Sequence, residues 1–150
     1  MKHLFVIMLT AFFSLAAVAQ TRDTEAVKQV LNNYKKAIEK LDTAGVVNLF
    51  VKDCKVYEQA KDEGTIGHYL EHHLGPELKA FRSFTFSDYK VDLTLAGNYA
   101  FSTETYLYTI VLAKDGSIIK SQGVATSVLK KTKDGWKIVQ THSSFRKAKN

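Results

Sequence analysis

The sequence predicts an α+β fold in which helices precede a curved, mostly antiparallel sheet. Three observations carry this. Apolar residues recur at three- and four-residue spacings between Asp23 and Leu41, the period of a helix with one buried stripe. After Arg82 the period changes to alternation, that of a half-buried strand. The pairs Gly97-Asn98, Asp115-Gly116 and Asp134-Gly135 then divide the alternating part at hairpin signals, so that consecutive strands run antiparallel.

The first residues stand apart from this pattern. Lys2 and His3 precede an apolar run from Leu4 to Leu15, and Ala17-Val18-Ala19 follows just before Gln20. This is the layout of a secretory signal peptide over residues 1–19, removed on export. The run is short for a bilayer span, which takes roughly 20 apolar residues. The remaining domain, residues 20–150, is therefore expected in a secreted or periplasmic setting. A chain of about 130 residues buries roughly two thirds of its unfolded surface, enough for one core. Cys54 is the only cysteine, which excludes an internal disulfide.

Losing the leader takes the formal charge from +6 to +5. The excess is dispersed over Lys35-Lys36, Lys130-Lys131 and the tail Arg146-Lys147, the pattern of solvated surface. Together with export, this argues against nucleic acid as a partner, and no membrane partner is expected once the leader is gone.

The elements follow in order. Asp23 to Leu41 forms the first helix, with Val27, Val30, Leu31, Tyr34, Ala37, Ile38 and Leu41 on its stripe. Asp42-Thr43 ends it and caps a short second helix, Ala44 to Phe50. A strand, Cys54 to Gln59, places Cys54, Val56 and Glu58 on one face. Lys61 to Gly64 reads as a polar loop. Thr65 caps a third helix to about Leu74, interrupted by Gly75-Pro76 and continued from Glu77 to Phe81. Four strands complete the chain: Thr85 to Leu95, Tyr99 to Leu112, Ile118 to Lys130 and Trp136 to Phe145. Strict alternation puts Trp136, Ile138, Gln140, His142 and Ser144 on one face of the last strand. Three helices packed in such a sheet leave a cone with a cavity at its mouth.

At this point the chain resembles the NTF2-like superfamily, in its SnoaL-like and related secreted branches. The resemblance rests on the helix-first order, on Val56-Tyr57-Glu58-Gln59 after the second helix, on Tyr69 to Leu78, and on the terminal Gly135-Trp136-Lys137-Ile138 with His142-Ser143-Ser144. It implies the conical fold. It implies little about chemistry, because the same cone hosts isomerases, cyclases, dehydratases, binding modules and assembly domains. Long exposed strands in this superfamily often pair subunits, so a homodimer is expected. Ketosteroid-isomerase members use an aspartate base with a tyrosine and a second acid; that set has no residue-by-residue counterpart here, and their activity does not carry over.

Five residues are candidates for the pocket: Glu58, His73, Glu104, Tyr106 and His142. On the third helix His73 falls within the apolar face of Tyr69, Leu70 and Leu74, whereas His68 and His72 point outward, one turn apart. An inward imidazole or carboxylate needs a partner, so each residue reads either as a hydrogen-bonded structural group or as a working one. Glu104 and Tyr106 share a strand face with Ala100, Ser102 and Tyr108. Two chemistries fit the set. One is carboxylate–imidazole acid–base catalysis of the isomerase, dehydratase or lyase type. The other is a metal site of His73, His142 and Glu58, although no compact ligand motif supports it, and neither metal nor cofactor is expected. The sequence leaves catalysis open and favours a domain that binds a small organic molecule.

Overall fold

The computed structural model describes residues 2–148, with side chains from residue 20 onward. The leader expected over residues 1–19 lies outside the residues whose side chains are described. Helix α1 spans Lys2–Glu39. It is followed by a one-turn 3-10 helix, Val46–Leu49, and by strands β1 (Phe50–Glu58) and β2 (Lys61–Gly64). A helical run then comprises α2 (Ile66–Tyr69), a π-helical turn (Leu70–Leu74) and α3 (Gly75–Lys79). Strands β3 (Phe81–Ala96), β4 (Tyr99–Leu112), β5 (Ile118–Thr132) and β6 (Gly135–Lys147) complete the fold. The six strands form one sheet in the order β2-β1-β6-β5-β4-β3. Every neighbouring pair is antiparallel except β1 and β6, which run parallel.

The α1 stripe meets the sheet as its spacing predicts. Val27 and Leu31 are buried against a core that includes Phe50, Leu129, Trp136 and Ile138. Burying each of these side chains fully contributes roughly 1.5–3 kcal/mol. Asp23 ties the helix to the sheet: the Trp136 indole N–H donates to it at 3.0 Å, and the Lys131 ammonium lies 2.7 Å away. At the other end Leu41 turns left-handed (φ 55°), and the Asp42 N–H reaches back to Ala37 O at 3.0 Å. That closes the helix in the manner usually served by glycine. Cys54 is fully buried, and its sulfur accepts the Ile66 N–H at 3.1 Å, a structural thiol.

The structure departs from the sequence reading in four places. The second helix shrinks to the 3-10 turn, because Phe50 already belongs to β1. The polar loop Lys61–Gly64 is a strand. Its hairpin turn is Gln59-Ala60, both left-handed (φ 46° and 67°). That is the backbone two-residue hairpins favour, but residues other than Gly, Asn or Asp carry no sequence signal for it.

Gly75-Pro76 does not interrupt the helical run. The Gly75 N–H bonds Leu70 O, five residues back, and this widened turn absorbs the proline, which has no N–H to donate. A Cβ at Gly75 would lie 2.3 Å from Leu70 O, so only glycine fits.

The fourth difference concerns strand phase. In β6, Ile138 pairs with Leu129 and Gln140 with Val128, leaving Val139 as an extra residue. Such a bulge shifts the alternation by one and exchanges the two faces beyond it. Trp136 and Ile138 are buried, as expected; past the bulge Thr141 is buried and His142 is exposed. A second bulge in β3, between Ser87 and Lys90, centres on left-handed Asp88 (φ 50°). It puts Tyr89 on the same concave face as Phe84 and Phe86.

Candidate functional site

The concave face of the sheet, α1 and the α2–α3 run enclose a cavity of about 470 Å³. Its walls are largely aromatic: Tyr34 from α1, Phe84, Phe86 and Tyr89 from β3, and Tyr106 and Tyr108 from β4. Gly123 makes room for this wall, since a Cβ there would come within 2.2 Å of the Tyr106 ring. Acidic side chains stand in this lining at two places.

The first centres on His73. Its Nδ1 lies 3.0 Å from Oε1 of Glu63, a carboxylate only 3 % exposed. Its Nε2 lies 3.4 Å from Glu58 and 3.2 Å from Glu77. Lys61 sits 2.9 Å from Glu63, and the Tyr69 phenol donates to Glu58 at 2.8 Å. Topology explains the assembly. Glu58 ends β1, and Glu63 is the extra residue of a bulge in β2, where Val56 pairs with Gly64 but Tyr57 with Asp62. His73 and Glu77 lie one turn apart on the helical run that follows.

The half-buried Glu58 and the buried Glu63 differ. Burial raises the Glu58 carboxyl above its ordinary value, only partly opposed by the Tyr69 hydrogen bond and the His73 charge. For Glu63 burial pulls the same way, but hydrogen bonds and charge from Lys61 and His73 outweigh it and hold the carboxyl below its ordinary value. Glu63 is thus the fixed anion. The Tyr69 phenol is pushed far up, chiefly by burial, and stays a neutral donor.

The second group is Glu104, 8 % exposed, which accepts a hydrogen bond from the Tyr89 phenol. Burial raises its carboxyl, with the Tyr89 bond acting against it. The Tyr89 and Tyr106 rings stack 6.2 Å apart beside it.

Of the five residues singled out in the sequence, Glu58, His73, Glu104 and Tyr106 line this one cavity. His142 does not. The Val139 bulge turns it to the outer face, and Thr141 and Ser143 take the cavity positions instead. The metal set of His73, His142 and Glu58 is therefore not assembled, and among the described residues no group of three or more His, Cys, Asp or Glu side chains could hold a metal ion. His68 and His72 are exposed with rings 4.5 Å apart; His68 Nδ1 lies 3.1 Å from the Glu63 backbone oxygen. The sequence reading missed Glu63, hidden in an apparent loop, Tyr69, taken only as part of an apolar face, and Tyr89, whose direction depends on the β3 bulge.

Residues 27–147 match the family model of the SnoaL-like domain. No curated protein matches the chain. Among solved structures, it is similar to a nuclear transport factor 2 (NTF2-like) superfamily protein from Salmonella enterica serovar Typhimurium: TM-score 0.74, 22 % identity, 87 % of this chain and 94 % of that one covered. A candidate dehydratase of the NTF2-like family from Streptomyces avermitilis has TM-score 0.74 and 20 % identity, with 85 % of this chain and 99 % of that one covered. A candidate ketosteroid isomerase from Shewanella frigidimarina has TM-score 0.68 and 27 % identity, covering 79 % of this chain and 94 % of that one.

Proposed function

We propose, from the premise that this chain belongs to the SnoaL-like domain family, that its cavity binds a small, largely apolar organic molecule and moves a proton on it. The observation that carries this reading is the Glu63–His73 contact at 3.0 Å. A buried anion beside Nδ1 favours a hydrogen there and turns Nε2 toward the cavity. Nε2 shares its surroundings with Glu58 and Glu77, so a proton can pass among three groups without leaving the site. Aromatic walls exclude water and position a flat or apolar body.

The matching reaction class is proton transfer at a carbon next to a carbonyl. His73 or Glu58 takes the proton from the α carbon, then returns it at the γ carbon of the resulting dienolate or to a departing β-hydroxyl. Isomerisation and dehydration are the two outcomes, and the dehydratase and isomerase descriptions of two structural neighbours accord with them. We place this activity outside the cytoplasm, on the leader pattern of residues 1–19.

Incubation in D2O with β,γ-unsaturated and β-hydroxy ketones tests the proposal. The intact protein should introduce deuterium at the carbon next to the carbonyl, or eliminate water, and His73→Asn should reduce the rate about a hundredfold or more. Ketones that bind without exchange or elimination would contradict the catalytic reading and leave binding.

A further inference from the structure

The cavity and the protein around it carry opposite charge. The chain has a formal charge of +6, yet the cavity is lined by Glu58, Glu63, Glu77 and Glu104 against Lys35, Lys61 and His73. Both lysines are already matched: Lys61 lies 2.9 Å from Glu63, and Lys35 2.7 Å from Glu39. Among the described residues no basic side chain forms an ion pair with Glu104, and its hydrogen-bond partner is the neutral phenol of Tyr89. A carboxylate can accept about four hydrogen bonds, so this one retains capacity for a donor that comes from outside.

The surroundings of Glu104 suit a positive donor. Tyr89 and Tyr106 stack beside it, and Phe86 meets Tyr106 edge-on at 5.0 Å. Aromatic faces attract cations through their quadrupole. This wall already does so: the Lys35 ammonium stands 5.5 Å from the centroids of both Phe86 and Tyr89. That ammonium is neutralised by Glu39 and leaves the Glu104 carboxyl unmatched.

Resting on the reading of the cavity as a small-molecule site, we propose that its ligand is an organic cation, an ammonium group on an apolar body, with Glu104 as the counter-ion and the rings of Tyr89, Tyr106 and Phe86 as its aromatic surround. Entry of the ammonium supplies the buried carboxylate with the positive partner it lacks. Burial raises the Glu104 carboxyl, and a positive group beside it would favour the ionised form. Neutral ligands of the same shape gain the apolar contacts but not this pair, and anions are repelled by it.

Calorimetric titration of the full chain with phenethylammonium, phenethyl alcohol and phenylacetate tests the proposal, because the three share one apolar body and differ in charge. The ammonium should bind about tenfold or more tighter than the alcohol, and phenylacetate weakest. In Glu104→Gln the preference for ammonium over alcohol should vanish while the alcohol keeps its affinity. Tyr89→Phe, which retains the ring and removes only the phenol, should keep or increase the preference, and serves if the glutamine variant does not fold. An alcohol that binds as tightly as the ammonium, or a preference unchanged in Glu104→Gln, overturns the cation assignment and leaves the pocket standing. Failure of all three to bind overturns the pocket reading together with it.

Discussion

Nδ1 of His73 lies 3.0 Å from the buried carboxylate of Glu63, and the helical run supplying the histidine follows directly on the strand supplying the acid. This contact favours a hydrogen on Nδ1, with Nε2 toward Glu58 and Glu77. Nitrogen NMR of His73 should report Nδ1 as protonated. Glu63→Gln removes the anion and should return the ring toward the Nε2–H form that predominates in free histidine. A His73 spectrum unaltered by the substitution would show that Glu63 does not position the ring.

Glu58 and Glu104 on one side and Glu63 on the other make opposite predictions for stability against pH. Glu58 and Glu104 are raised, so the folded protein holds their protons where the unfolded chain has released them; their effect is a loss of stability as pH rises from the ordinary value of 4.5 through the folded value. Glu63 is lowered. Its contribution is full above 4.5 and is lost as pH falls through the folded value. Thermal unfolding should therefore show Glu104→Gln matching or exceeding the wild type above pH 4.5. Glu63→Gln should be the less stable protein at neutral pH, by a margin that narrows in acid.

Gly123 faces Tyr106 across β4 and β5, with no space for a methyl group. Gly123→Ala should push the Tyr106 ring into the cavity and cost about 1–3 kcal/mol. A crystal structure of the variant shows the ring, and denaturant unfolding gives the loss. An unmoved ring with unchanged stability would show that the wall is looser than the contact implies.

The turn Gln59-Ala60 keeps its left-handed backbone partly through outside help. The Gln59 N–H donates to Ser143 O at 3.0 Å, and its side-chain amide to Phe145 O at 2.9 Å. Ala60→Gly relieves the strain at the residue that forms no such bond and should stabilise the protein by about 0.5–1 kcal/mol in chemical denaturation. A loss of stability would contradict a strained Ala60.

The proposed cleavage after Ala19 would leave Asp23 in place, with its bonds to Trp136 and Lys131. Intact mass of protein recovered from an exporting host should correspond to a chain starting at Gln20. Retention of residues 1–19 would contradict export with cleavage. A homodimer through the outer sheet face, where Phe101 and Val124 are exposed, is checked on the same sample by light scattering; a monomer at high concentration would count against it.

The legible parts of this chain are those where local and global signals agree. The α1 stripe, the Thr65 cap and the three glycine-bearing hairpins are written in spacing and residue type, and they suffice for the cone. The site is less legible because it depends on irregularities. Val139 and Asp88 each shift a strand by one residue, which removes His142 from the cavity and brings Tyr89 in; alternation alone cannot show either. Glu63 was hidden because its hairpin turns on Gln59-Ala60, a left-handed pair without glycine, asparagine or aspartate. His73 could be placed facing inward from its helical neighbours, with Glu77 one turn along the same helical run, but Glu58 and Glu63 come from two strands that only the fold brings to it.

The central claim is that the reactive face of His73 meets a small molecule in the cavity. A crystal structure of the protein purified from its native host, or soaked with a ketone that exchanges deuterium, tests this most directly. The account predicts an organic molecule between the aromatic walls, with a carbon or polar atom within about 3.5 Å of His73 Nε2 or the Glu58 carboxyl. A ligand seated elsewhere on the protein, with only water against His73 and Glu58, would contradict it.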